Sequence, residues 1–154
     1  MSVPGPTRTG SQVDVRGPRF AAWITTAVLV VVLLVSTVSN TVAGVVLGVQ
    51  ALVFAIGAAF GPRRSPYGAL FAGLVAPRLR APSETEPVAP LRFAQFVGFA
   101  FAAVGTVAFA LGAGTVGIVA TGFALFAALL NAAFGFCLGC QIYPLIARLR
   151  SAAA

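Results

Sequence analysis

Charge is what this sequence has least of. Of its 154 residues only 8% are charged, against about 25% in an ordinary soluble domain. Histidine and lysine are absent, carboxylates are limited to Asp14, Glu84 and Glu86, and there are two cysteines and one tryptophan. The missing histidines exclude a nucleophile–histidine pair and a one-chain zinc site of ordinary type. Three scattered carboxylates give no paired acid–base geometry, and no glycine-rich phosphate loop occurs, so hydrolase and nucleotide-dependent activities have no residues to stand on. Two cysteines are too few for the disulfide framework of a secreted mini-protein.

What is present is apolar: 59% of the chain, with a mean hydropathy of +1.00. That is the composition of a membrane protein. The net charge of +7 comes entirely from arginine. Each arginine flanks an apolar run, which marks topology and contact with anionic lipid rather than nucleic acid.

Residues 1–19 are rich in Pro, Gly, Ser and Arg and read as a flexible tail. Residues 20–60 carry no charge; one helix of that length would overshoot a hydrocarbon core of about 30 Å, so the run must fold back. The polar cluster Ser36, Thr37, Ser39, Asn40 and Thr41 supplies the turn, giving spans near 20–38 and 42–60. Residues 93–136 repeat the pattern around a GAGT turn, giving spans near 93–111 and 116–136. Between the hairpins lies a polar loop, 61–92, with six prolines and five arginines. Its YGALFAGLVA segment is too short to span and is expected to lie in the membrane interface, anchored by Tyr67, Arg78 and Arg80. A short tail, 151–154, ends the chain. The expected fold is all-α, a polytopic four-helix bundle.

All ten arginines fall in the tail, the central loop or the carboxyl end, and neither hairpin turn is charged. The positive-inside rule then puts both termini and the 61–92 loop in the cytoplasm. A cleaved signal peptide starting at Phe20 is disfavoured, because it would leave an odd number of spans and arginines outside. An internal echo supports two hairpins running in the same direction. PRFAAW opens span one and LRFAQF span three, 73 residues on; AAFG closes spans two and four, 74 residues apart. The echo sets Arg63 and Arg64 at the depth of the two cysteines.

The motifs DVRGPRF, FGPRRSPYG, EPVAPLRFAQ and LLNAAFGFCLGCQIYP make the chain resemble the small actinobacterial membrane proteins grouped as domain-of-unknown-function family 4395. The likeness runs from about Asp14 to Arg150. It implies a four-helix inner-membrane protein. It also implies the company of thioredoxin-like and sulfurtransferase proteins, which leans toward thiol or sulfur chemistry.

Cys137 and Cys140, spaced CxxC, are the candidate redox pair. On a helix continuing from span four they share a face and their sulfurs come within bridging reach. A thioredoxin-type pair gains thiolate character from a helix amino terminus; these are expected at a carboxyl end, where the dipole opposes it. Arg63, Arg64 and Arg148 are therefore the candidate thiolate- or anion-stabilising residues. A cycling dithiol with a cytosolic partner is favoured over a stable disulfide in a reducing compartment. Two alternatives stand beside it: a structural scaffold or docking protein without catalysis, and a Cu(I) or inter-chain thiolate site on the same cysteines in a homo-oligomer. Asn131, Gln50 and Gln95 read as interhelical hydrogen-bonders. No cofactor is expected. Quinone-using four-helix thiol oxidases also carry a CxxC near a bundle end, but on the opposite face and with a second cysteine pair, so their mechanism is not carried over.

Overall fold

The computed structural model describes residues 12–82 and 84–153, the side chains of 86, 138–140 and 153 excepted. In chain order come β1 (Gln12–Asp14), α1 (Arg16–Ser36), α2 (Asn40–Phe60), α3 (Pro66–Leu70), a π-helical turn (Phe71–Val75), a 3-10 turn (Ala76–Arg78), β2 (Thr85–Pro87), α4 (Val88–Ala110), α5 (Gly114–Phe134) and α6 (Leu138–Ala153). The helices α1, α2, α4 and α5 are 21, 21, 23 and 21 residues long and apolar enough to cross a membrane, about 30 Å of helix each. The protein is an all-α four-helix membrane bundle.

Its packing is that of a molecule with lipid for an outer solvent. Leu34, Val45, Leu52 and Val107 are more than half exposed on the outside. The interior is built from Leu29, Val32, Leu47, Phe54, Phe109 and the small residues Ala43, Ala51 and Ala102. With no hydrophobic drive between helices in lipid, close backbone approach does the work, and glycines permit it. A Cβ on Gly98 would stand 2.8 Å from the Phe54 ring, and one on Gly117 would stand 2.7 Å from the Phe109 ring.

The helices pair across the hairpins: α1 packs chiefly against α5 and α2 against α4, more extensively than α1 against α2 or α4 against α5. Arginines tie the same pairs. Arg19, in the first turn of α1, donates to the Ala132 carbonyl near the end of α5 at 3.3 Å. Arg92, in the first turns of α4, donates to the Ala58 and Ala59 carbonyls at the end of α2 at 2.8 and 2.9 Å. A cation at a helix carboxyl end satisfies orphan carbonyls and complements the dipole. Arg19 and Arg92 hold the same place in the repeated RFA, and their acceptors the same place in the repeated AAF. Each hairpin thus caps the other, as two parallel copies about an axis along the bundle would.

Of the expected tail, residues 12–14 and 16–19 lie in β1 and α1, and residues 1–11 lie outside the described residues. Residues 12–14 pair antiparallel with Thr85–Pro87 of the central loop. Asp14 accepts from the Arg16 backbone N–H at 3.0 Å and pairs with its guanidinium at 2.7 Å. Arg16 also donates to the Arg80 carbonyl at 2.9 Å, so α1 starts at Arg16 rather than Phe20. The central segment, expected in the interface with Tyr67 as an anchor, turns Tyr67 and Phe71 toward the bundle and leaves Leu70 and Leu74 exposed. Tyr67 donates its hydroxyl to Gln50 Oε1 at 2.6 Å, and Phe71 is buried against Phe20. A Cβ on Gly68 would overlap the Pro62 carbonyl oxygen, so this tight fold-back requires glycine there.

Candidate functional site

The ends of α1, α2, α4 and α5 that carry the arginines surround a cavity of about 690 Å³, roofed by α3 and the π turn. Its apolar walls are aromatic, Phe54, Phe101, Phe123 and Phe126, with Ala22, Ala124 and Gly98 between them; Phe54 is buried, whereas Phe123 and Phe126 are more than half exposed and leave this end open. Its polar groups gather toward the arginine end, where Arg63, Ser65, Tyr67, Gln95, Asn131 and Cys137 reach the wall.

Gln50, 1% exposed, accepts from Tyr67 and donates to Thr25 Oγ1 at 3.4 Å. This chain links α2, α1 and α3, the interhelical role expected of the glutamine. Burial pushes the Tyr67 phenol above its ordinary value. Gln95 and Asn131 differ: among the described residues neither side chain makes a hydrogen bond, and both line the cavity. Gly57 makes room for Gln95, since a Cβ there would stand 2.7 Å from the amide oxygen.

The setting of the cysteines corrects the sequence reading. Helix α5 does not run on to Phe136. It stops at Phe134 because Gly135 takes the left-handed conformation (φ 66, ψ 17), which costs a glycine little and other residues about 1–2 kcal/mol. The Gly135 N–H reaches the Asn131 carbonyl at 3.0 Å, the single 5→1 bond of an αL cap, and the Phe136 N–H reaches the Leu130 carbonyl at 3.2 Å. A new helix, α6, begins at Leu138. The Cys137 carbonyl accepts its first helical bond, from Gln141 N at 3.1 Å, so Cys137 is the N-cap residue of α6. The pair therefore stands at a helix amino end, not the expected carboxyl end, and α6 runs through the expected tail to Ala153.

Cys137 is half-buried, lines the cavity and is disulfide-bonded. The Cys140 backbone lies in the first turn of α6; its side chain lies outside the described residues. Of the three candidate arginines, Arg63 shares the cavity wall with Cys137. Arg64 and Arg148 are exposed and lie off that wall. Gln95 and Asn131, which make no side-chain hydrogen bond among the described residues, gain a meaning that polar periodicity alone did not supply, because the cavity they line is a tertiary feature.

Helix α6 lies along α4, with the Tyr143 and Phe93 rings 5.8 Å apart. It leaves Ile142, Leu145 and Leu149 exposed, at helical spacing beside Arg148 and Arg150.

No curated protein and no solved structure matches the chain. One family model does, over residues 13–148: the domain of unknown function DUF4395. That span covers the ribbon, the four membrane helices, the cavity and most of α6, and the chain is a member of the DUF4395 family.

Proposed function

We propose that this membrane protein handles thiols or sulfur through Cys137 and Cys140. The pair exchanges electrons or sulfane sulfur with a thioredoxin-like or sulfurtransferase partner in the cytoplasm, with both termini and the arginine-bearing end of the bundle on that side of the inner membrane. The single observation that carries this reading is the position of a disulfide-bonded Cys137 as N-cap of α6. A helix amino terminus favours negative charge on sulfur, which is the form that attacks a disulfide and the better leaving group when one is attacked. Arg63, on the same cavity wall, is the cation this reading assigns to stabilise the thiolate.

The experiment is trapping. The attacked sulfur in a CxxC exchange is held covalently until its neighbour resolves it, so Cys140→Ser or Cys137→Ser in cells should accumulate a mixed disulfide with a soluble thiol protein, absent from the double variant. A membrane-impermeant maleimide, applied after reduction, should label the pair in inside-out vesicles and not in intact cells. Labelling from outside intact cells would sink both the orientation and the cytosolic partner.

A second reading, docking of a protein partner without thiol chemistry, is favoured by the exposed apolar face of α6. It expects the double Ser variant to keep full function in vivo.

A further inference from the structure

We infer that the cavity is a binding site for a lipid-soluble quinone, which takes the electrons released when the Cys137 disulfide closes. The inference rests on the thiol reading above and names its electron acceptor.

The cavity is graded from an open apolar end, where Phe101 and Phe123 stand exposed, to a polar end at Arg63 and Cys137, matching an amphiphile whose head faces the arginine end and whose tail leaves between the helices. At about 690 Å³ it is of the size that encloses a drug-sized molecule. That suits a ring with a short length of its tail and is small for a two-chain phospholipid. The aromatic wall suits a flat ring, since aromatic faces stack offset or edge-on at favourable energy. Two carboxamides from facing helices, Gln95 on α4 and Asn131 on α5, line the space and make no hydrogen bond among the described residues. Both amides are partly exposed at the polar end of the cavity, and the two carbonyls of a quinone are acceptors for such donors.

The chemistry closes without a further reagent. Two S–H bonds break and one S–S bond forms, giving up two electrons and two protons. The two quinone carbonyls take them and become the hydroxyls of a quinol. A cytosolic dithiol then reopens the disulfide by exchange.

The test uses the full chain in detergent, reduced, freed of reductant and mixed with a decyl-chain benzoquinone. The expected result is one quinol formed and two thiols lost per chain, with no turnover in Cys137→Ser. Gln95→Leu and Asn131→Leu should each raise the half-saturating quinone concentration at least tenfold while exchange with dithiothreitol keeps its rate. Should those variants fail to fold, a Phe101→Trp reporter in the otherwise native chain reads binding directly. Its emission should be quenched saturably by the quinone, against the background of the half-exposed Trp23. Normal dithiothreitol exchange without quinone reduction, unaltered saturation in the amide variants, or a copurified two-chain phospholipid that the quinone fails to displace would each overturn the site and leave the thiol reading standing. Dithiothreitol exchange that persists at full rate in Cys137→Ser would remove the thiol reading and this inference with it.

Discussion

The Tyr67–Gln50 bond offers a measurable account of how the central segment is held on the bundle. Tyr67→Phe deletes one hydroxyl and leaves the ring in place. The lost bond is short, 2.6 Å, and its acceptor, Gln50, is 1% exposed, so water cannot replace the donor. Leaving a buried acceptor unpaired costs about 1–3 kcal/mol, whereas interhelical pairs in membrane proteins average nearer 0.6 kcal/mol. About 1–2 kcal/mol of destabilisation is therefore expected. Gln50→Leu leaves the phenol on the cavity wall, where it can turn toward water, so it should cost about 1 kcal/mol or less. Replacing both partners removes the penalty on each, and the double variant should be more stable than the sum of the singles by about 1 kcal/mol. Denaturant-induced unfolding of the purified protein in mixed micelles measures all four corners of this cycle. A coupling within about 0.3 kcal/mol of zero, the range of independent sites, would refute the claim that Tyr67 holds the segment through Gln50.

Two further predictions concern the arginine end. Arg92→Leu removes both contacts to the α2 carbonyls; for an exposed pair of charge-assisted bonds the expected loss is about 1–2 kcal/mol, read in the same unfolding assay, and Arg92→Lys should recover only part of it because a point charge replaces a fork. The hydrogen bond from Arg16 holds the Asp14 carboxyl below its ordinary value. A carboxylate with a depressed folded pKa contributes stability above its unfolded pKa, near 3.9, that is lost as pH falls through the folded value. The wild type should thus lose more stability than Asp14→Asn between pH 5 and the acid limit, and parallel pH profiles would contradict the assignment.

The four spans were legible because hydropathy and arginine placement report directly on the bilayer, which acts on each segment independently of the others. What escaped the sequence depends on contacts between distant segments. Three residues of β1 find three of β2 across the first hairpin and the folded-back segment, and no local pattern marks so short a ribbon. Tyr67 carries the signature of an interfacial tyrosine, yet a buried glutamine on α2 redirects it. The helix break at Gly135 had a signal, glycine being the residue favoured just past a helix end. Phe136 and Leu138 hid it by continuing the apolar run, and the break decides which end of a helix dipole the cysteines meet. Nothing local at Gly57 or Gly98 marks the cavity beside them, because it depends on which side chains face each other across the bundle.

The reciprocal arginine caps bear on how the chain is made. The first hairpin leaves the translocation machinery with the α2 carbonyls at Ala58 and Ala59 unmet and Arg19 without its acceptor; both are supplied only when α4 and α5 arrive. A first hairpin expressed without the second would leave those carbonyls to water, and the two hairpins together supply one another's helix caps.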